Sequence, residues 1–316
     1  MGRYARAFGP HAPQSTYVGH DYPEQLFDTG EVRLNYAVAG TEGSPPLLLI
    51  PGQSESWWGY EAAMGLLGDH FHVHAVDLRG QGRSTRTPHR YTLDNIGNDL
   101  VRFLDDVIGR PAYVSGLSSG GLLSAWLSAY AKPGQVIAAC YEDPPFFSSE
   151  LTPVVGPSIM ESIGPLFALW VKYLGVQWSV GDWDGFVAGA PRELADWQAF
   201  IASAAGTDVP PQNLREYDPE WGKAFITGAF AASCPHHVML SHVKVPVLFT
   251  HHFRMIDEDT GALMGACADE QAERVLQLVG ESLTYKSFPM MGHAMHGQDP
   301  ALFAATLTEW FSGFRS

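Results

Sequence analysis

Gly116-Leu117-Ser118-Ser119-Gly120 is the stretch that decides how the rest of the chain is interpreted. It follows the short apolar run 112–114 and leads into residues 121–130, whose composition predicts a helix. Strand, G-x-S-x-G and helix in that order is the context of a nucleophile elbow, in which a serine sits on a strained turn. The flanking glycines fit, because only residues without bulk are tolerated beside such a turn. A serine-rich helix start explains the same letters, since serine is a good N-cap.

Working outward from this stretch, strands and helices alternate between residues 46 and 145. The pattern predicts strands over 46–50, 71–77, 112–114 and 136–141, and helices over 57–67, 91–107 and 121–130. A further strand over 31–38 is expected to pair with residues 25–27. Such alternation is typical of α/β proteins with a mostly parallel, doubly wound sheet.

The alternation stops between residues 146 and 240, where helical stretches rich in tryptophan and phenylalanine replace it, and then resumes. Helices are predicted over 159–174, 183–188, 192–204 and 221–230 in this block. The later part predicts strands over 245–250 and 283–288, with helices over 270–278 and 301–314. We therefore expect a flexible N-terminal arm over 1–22, a core made of 23–145 and 241–316, and an inserted helical cap over 146–240.

Composition narrows the classes of partner. The 316 residues are 46% apolar and 17% charged, with a formal net charge of −15. That charge argues against nucleic acid and anionic membranes as partners. The three cysteines form no C-x-x-C pair, which suits a reducing compartment, and no signal peptide or membrane-spanning run is apparent. The sequence predicts a soluble, cytoplasmic protein; histidines 70, 72 and 74 lack nearby acidic or cysteine partners, so no metal site is expected.

A serine nucleophile needs a base, and the base needs an acid that orients it. His293 follows the last predicted strand, at the place in chain order where such a base is found; His296 is the competitor. Three carboxylates are candidates for the acid. Glu142 ends the strand after the elbow helix, whereas Asp257 lies in the loop after strand 245–250. Asp143 is the weakest of the three, because it is expected to point to the opposite side of the strand end from Glu142.

An oxyanion hole is the remaining requirement. The backbone N–H of Ser119, directly after the nucleophile, supplies one donor. The second is expected from Gln53, because Pro51-Gly52-Gln53 follows the strand 46–50 and lets the backbone approach closely. Four separate parts of the chain thus agree on a serine nucleophile that requires no cofactor.

The chain resembles the α/β-hydrolase superfamily from residue 25 onward, on the elbow, Asp77-Leu-Arg-Gly-Gln-Gly-Arg-Ser84 and Gly292-His293. Within it, the chain is similar to the zearalenone lactone hydrolases. The stretches that carry this similarity are 56–60, 142–147, 178–183, 215–221 and 233–236. The resemblance implies cleavage of the ester of a macrocyclic resorcylic lactone, followed by spontaneous decarboxylation. It also implies Glu142 as the acid, 24 residues after Ser118, in preference to Asp257. Trp221 is implied to contact the substrate.

Other functions stay open at this point. A ligand receptor that keeps a hydrolase pocket, or a cofactor-free haloperoxidase-like esterase, has the same elbow. Dehalogenation and epoxide opening are disfavoured, because both need a carboxylate where this chain has Ser118. The expected partner is a small-molecule lactone or ester; the sequence leaves the oligomeric state open, a homo-oligomer included.

Overall fold

A computed structural model describes residues 19–177, 179, 181–194 and 211–314 of the chain. Most of the predicted N-terminal arm therefore lies outside the described residues. So do two tryptophans of the predicted cap, Trp178 and Trp197, and most of the helix predicted over 192–204.

The described residues form a mixed sheet of eight strands. The sheet strands are β1 Glu24–Asp28, β2 Arg33–Ala39, β3 Pro46–Ile50, β4 His72–Val76, β5 Ala112–Leu117, β6 Val136–Glu142, β7 Val247–His251 and β10 Leu283–Ser287. Across the sheet, their order is β1-β2-β4-β3-β5-β6-β7-β10. A separate short hairpin joins β8 Met255–Ile256 to β9 Leu263–Met264. That hairpin was not predicted from the sequence. The other strands lie within a few residues of their predicted positions.

Strand direction divides the sheet. β1 and β2 are antiparallel, as are β2 and β4, whereas every pairing from β4 through β3, β5, β6 and β7 to β10 is parallel. The carboxyl ends of the parallel strands therefore meet at one edge, where open α/β sheets bind ligands. The predicted α/β-hydrolase fold, with a mostly parallel, doubly wound sheet, is confirmed.

Helices cover both faces of the sheet. The described α-helices are α1 Glu61–Leu67, α2 Leu93–Phe103, α3 Ser119–Tyr130, α4 Gly164–Tyr173, α5 Trp183–Glu193, α6 Gln212–Arg215, α7 Glu220–Ile226, α8 His236–Ser241, α9 Asp269–Val279, α10 Met295–Gln298 and α11 Pro300–Ser312. α1 and α11 pack on one face of the sheet, and α2 and α3 on the other. The Thr92 side chain accepts a hydrogen bond from Asn95 N–H and caps the start of α2. The helix predicted over 91–107 ends differently from an ideal helix, because residues 104–108 form a π-helical turn that closes at Gly109 in the left-handed conformation.

The core lies on the two faces of the sheet, and strand β3 shows why. Leu47 and Leu49 pack into one hydrophobic cluster with α1 and α11, while Leu48 and Ile50 pack into the other with α2 and α3. All four side chains are fully buried, because successive strand residues point to opposite faces and helices cover both. A short, wholly apolar strand is thus the expected centre of this sheet.

Among the described residues between β6 and β7, helices α4 to α8 alternate with turns and loops, and no strand occurs there. α4 packs against α5 and α7, and buried rings fill the space between the helices, among them Phe167, Phe225 and Phe230. The cap boundaries at residues 145 and 241 stay predictions. None of the described helices combines the length and apolar character needed to cross a membrane.

Candidate active site

The stretch around Ser118 forms a sharp turn between β5 and α3. Ser118 has φ 54° and ψ −119°, a left-handed backbone conformation that a residue with a side chain rarely adopts. The packing explains the glycines: a Cβ on Gly116 would lie 2.2 Å from the carbonyl oxygen of Gly120, and a Cβ on Gly120 would lie 2.2 Å from that of Ile50. Ser118 is partly exposed between buried neighbours, so the turn presents one serine at the edge of the sheet.

His293 lies in the loop between β10 and α10, and its partner is Asp143. The imidazole Nδ1 is 2.7 Å from the Asp143 Oδ2 atom. The other carboxylate oxygen of Asp143 accepts a hydrogen bond from the backbone N–H of His252. The His293 side chain is 29% exposed and that of Asp143 only 1% exposed, so the pair consists of a buried carboxylate and a partly exposed imidazole.

The acid predicted from the sequence does not contact His293. Glu142, the residue favoured from the sequence, bonds His296 instead: its carboxylate oxygens are 3.1 and 3.0 Å from the His296 Nδ1 atom. Asp143 has φ 42°, so the chain turns left-handed directly after β6 and carries the Asp143 carboxylate to His293. The alternation of side chains that holds within a strand does not extend past its end, and no residue pattern indicates this turn.

Asp257, the alternative acid, is engaged in its own loop. Its Oδ1 atom accepts hydrogen bonds from the backbone N–H of Asp259 and from the backbone N–H and hydroxyl of Thr260. These contacts close the turn between β8 and β9. The carboxylate that contacts the His293 Nδ1 atom is therefore that of Asp143 and not that of Asp257.

The charges of the His293 pair stabilise one another. Burial would raise the pKa of Asp143, but the imidazoles of His252 and His293 hold that pKa below its ordinary value. Burial likewise opposes protonation of His293, yet the hydrogen bond and charge of Asp143, with help from Glu55 and Glu142, raise its pKa above the usual range. A basic imidazole beside a carboxylate is the arrangement that accepts a proton from a hydroxyl and holds it.

The predicted oxyanion residues flank the turn. Ser119 is the first residue of α3, where helix N–H groups lack acceptors within the helix. Across from it, a Cβ on Gly52 would lie 3.3 Å from the Ser118 Cβ atom, so the loop after β3 touches the turn. Gln53 follows in that loop, and its side-chain amide donates to the Tyr217 hydroxyl at 2.6 Å. The structure thus brings Ser119 and the Gln53 loop to Ser118.

Trp221 does not have the environment expected of a substrate contact. Its side chain is fully buried, and its indole N–H donates to the carbonyl oxygen of Arg79 at 2.8 Å. Its ring stacks on Tyr91, with centroids 5.4 Å apart, and also packs on Phe230. Trp221 does stand at the start of a helix, α7, and its indole is bonded there to the loop after β4. The residue joins the helical block to the core.

Sequence reasoning missed the acidic residues that accompany Trp221 in this role. Glu216 is buried and accepts hydrogen bonds from the Ser56 hydroxyl at 2.6 Å and the Trp58 indole at 2.9 Å. Asp218 is also buried and accepts from the Tyr91 hydroxyl at 2.5 Å. The signal was present in residues 215–221, where acids alternate with aromatic residues, but each partner lies more than a hundred residues away in sequence.

The loop after β4 owes its shape to Asp77. This buried carboxylate accepts from the Asn35 side chain and from the backbone N–H groups of Trp57 and Arg83. Burial, partly offset by those hydrogen bonds, raises its pKa to about 7. Gly82 has φ 53°, and a Cβ there would lie 1.9 Å from the Asp77 carboxylate. Glycine at this position therefore lets the loop backbone pack against Asp77.

Known proteins share sequence and fold with this chain. Residues 47–306 match the profile of a family described as "Alpha/beta hydrolase family". Epoxide hydrolase 4 of Mus musculus is 31% identical over 137 residues, which cover 43% of this chain and 38% of the relative. 3-oxoadipate enol-lactonase 2 of Acinetobacter baylyi is 33% identical over 113 residues, covering 34% and 42% respectively. The aligned stretches span less than half the length of these relatives.

Solved structures share the fold. The enol-lactonase from Burkholderia xenovorans LB400 superposes with a TM-score of 0.65 at 16% identity, covering 91% of this chain and all of that one. E-2-(Acetamidomethylene)succinate hydrolase gives a TM-score of 0.64 at 17% identity, covering 92% and 99%. At such identities the likeness concerns the fold alone, whereas the family profile covers most of the sequence. The chain belongs to the alpha/beta hydrolase family.

Proposed function

We propose that the protein is a serine hydrolase that cleaves a carboxylic ester or lactone without a cofactor. The observation that carries the proposal is the joint placement of a strained, partly exposed Ser118 and the Asp143–His293 pair at one edge of the sheet. Ser118 N–H donates to the carbonyl oxygen of Glu142 at 2.9 Å, so the elbow is bonded to the residue that directly precedes Asp143.

The reaction follows the logic of a serine triad. Ser118 Oγ attacks the ester carbonyl while His293 takes the hydroxyl proton, and Asp143 stabilises the imidazolium that forms. The backbone N–H groups of Gln53 and Ser119 hold the negative oxygen of the tetrahedral intermediate. Collapse returns the proton to the leaving alcohol and leaves an acyl-enzyme, and water activated by His293 then releases the acid and restores Ser118.

The choice of ester over epoxide rests on the elbow residue. Epoxide hydrolases are among the relatives, but epoxide opening needs a carboxylate at the elbow and this chain has Ser118. The enol-lactonase relatives favour the ester or lactone instead. A lactone product carries a new carboxylate, and the partly exposed carboxylate of Glu55 near the site favours its departure.

We further propose a macrocyclic resorcylic lactone such as zearalenone as the substrate. The resemblance of residues 142–147 and 215–221 to the zearalenone lactone hydrolases supports this class. A flat aromatic ring also suits a helical block rich in rigid rings, because aromatic side chains bury much area at little entropic cost. Trp221 itself is proposed to hold that block on the core rather than to touch the ligand.

Mass spectrometry of zearalenone incubated with the protein tests both proposals. The wild-type protein is expected to give the ring-opened acid and its decarboxylation product. Ser118→Ala should lower the rate by several orders of magnitude with the fold intact. Ser119→Ala is the matched control, since it removes a buried hydroxyl that has no hydrogen-bond partner in the described part of the chain and keeps the backbone N–H. We expect it to retain wild-type activity.

Two results contradict the proposals separately. Activity of Ser118→Ala within about tenfold of wild type rules out the serine mechanism. Serine-dependent cleavage of p-nitrophenyl acetate without turnover of zearalenone keeps the mechanism and rejects the substrate. A slow single turnover that leaves a long-lived bound product favours a ligand receptor.

A further inference from the structure

A second acid–imidazole pair lies beside the one assigned to catalysis. The His296 Nδ1 atom is 3.0 Å from Glu142 Oε2, and the backbone N–H of His296 donates to Glu142 Oε1 at 3.0 Å. The two side chains are 2% and 0% exposed. The proposed mechanism assigns no chemistry to either residue. A buried charged pair costs free energy to desolvate unless it is well hydrogen-bonded, so a pair kept here needs an explanation.

Glu142 contacts both segments that must meet in the reaction. Its carbonyl oxygen accepts from the N–H of Ser118, and its carboxylate holds the backbone and the ring of His296, three residues after His293. The next residue, Asp143, bonds the His293 ring itself. Two consecutive residues at the end of β6 therefore hold the elbow and the histidine loop in one place.

One face of the His296 ring is fixed as well. Tyr60 stacks on it, with ring centroids 4.0 Å apart and planes inclined by 29°. The Tyr60 hydroxyl accepts from the backbone N–H of Leu117 at 3.2 Å and donates to the carbonyl oxygen of Ile50 at 2.9 Å. The His296 ring thus lies between the end of β6 and a tyrosine that is bonded to the ends of β3 and β5.

The charges agree with an ion pair. Burial would raise the pKa of Glu142, but the charge and hydrogen bonds of His296 hold it below its ordinary value. Burial would lower the pKa of His296, but Glu142 and, more distantly, Glu55 raise it. The His296 Nε2 atom is 3.9 Å from the Glu55 carboxylate, which places a further anion on the far side of the ring.

We propose that Glu142 and His296 are positioning residues, which fix the separation of Ser118 and His293 by bonding the elbow to the histidine loop. The inference rests on the proposed serine mechanism and assigns to Glu142 a part distinct from that of Asp143. A displacement of about 1 Å between reacting groups costs roughly a hundredfold in rate, so a brace of this kind matters to turnover more than to binding.

Glu142→Gln and Glu142→Leu test the brace with p-nitrophenyl acetate as the substrate. Gln keeps one oxygen acceptor for His296 and loses the charge, so we expect kcat to fall roughly tenfold; Leu keeps neither and should lower kcat about a hundredfold. KM should change by less than about twofold in both, because the brace touches the reacting groups and not the ligand. Thermal unfolding shows whether each variant is folded.

Glu150→Gln is the matched control. Glu150 is a half-buried carboxylate that accepts the backbone N–H of another histidine, His236, at 2.8 Å. Its loss should leave kcat unchanged. Asp143→Asn marks the other extreme, with an expected loss on the order of 10³ to 10⁴. Activity of both Glu142 variants within about twofold of wild type rejects the brace, and a Glu142→Gln variant as inactive as Asp143→Asn makes Glu142 the catalytic acid instead.

A proton NMR measurement distinguishes a positioning role of Glu142 from a purely structural role. The low-field imidazole resonance of His293, identified by its loss in Asp143→Asn, should shift and broaden in Glu142→Gln and stay unchanged in Glu150→Gln. An unchanged His293 resonance in an impaired Glu142→Gln variant overturns the inference. The resonance needs no substrate, so it decides the matter even if an active Ser118→Ala variant defeats the serine mechanism.

Discussion

Asp143→Asn is the substitution that most directly challenges the proposed triad. The wild-type carboxylate lies 2.7 Å from His293 Nδ1 and is 1% exposed, so water cannot replace the charge that it supplies. Asparagine keeps an oxygen that can accept from the N–H of His252, which preserves the loop. Its amide group donates to His293 Nδ1, however, and thereby places the ring proton on Nε2, where the base must accept the proton of Ser118.

The expected loss is large because orientation and charge disappear together. Removing such an acid lowers turnover by about 10³ to 10⁴, which corresponds to roughly 4 to 5.5 kcal/mol of transition-state stabilisation. The assay is kcat/KM for p-nitrophenyl acetate, with the folded fraction of each variant measured by thermal unfolding. Asp257→Asn is the control and should lie within about twofold of wild type, since Asp257 serves the β8–β9 turn. An inactive Asp257→Asn variant beside an active Asp143→Asn variant refutes the assignment.

Three further predictions concern the pH profile, the helical block and the loop after β4. The raised pKa of His293 places the acid limb of kcat/KM above about 6.5, because the base works deprotonated; a limb at or below that value contradicts the Asp143–His293 pairing. Trp221→Ala should lower the free energy of unfolding by about 3 to 5 kcal/mol and impair lactone and small-ester hydrolysis alike. A loss confined to the lactone restores Trp221 as a substrate contact. Gly82→Ala should lower the free energy of unfolding by about 2 kcal/mol or more, because its Cβ meets Asp77. Gly30→Ala, also at positive φ but with open space around it, should lower it by only about 1 kcal/mol, and equal losses in chemical denaturation exclude the clash as the cause.

The elbow and the base were predictable because their signals are local. Ser118 needs a glycine-flanked turn between an apolar strand and a helix, and all three features are contiguous in sequence. His293 follows the last sheet strand, so chain order alone brings it to the same edge of a parallel sheet. Apolar runs such as that of β3 likewise predict burial on both faces without reference to any contact.

A single backbone angle separates the carboxylate that meets His293 from the one that does not. Glu142 and Asp143 are adjacent, and both are carboxylates at the end of β6, so composition and spacing cannot separate them. The left-handed turn at Asp143 gives one acid to His293 and the other to His296. That turn is stabilised by contacts with β7, including the bond from Asp143 N–H to the carbonyl oxygen of Thr250, which lies far along the chain.

The sequence by itself therefore determined the mostly parallel sheet, the succession of strands and helices along the chain, and the candidates for nucleophile and base, since each depends on periodicity or on order along the chain. Only the tertiary structure decided which carboxylate meets which imidazole, and that Trp221 closes the junction between the helical block and the core. The physical reason is that these contacts join residues that are distant in sequence. Hydrogen bonds and ring contacts form between side chains that folding brings together, and a small backbone rotation at a strand end changes the partner without changing any pattern in the sequence.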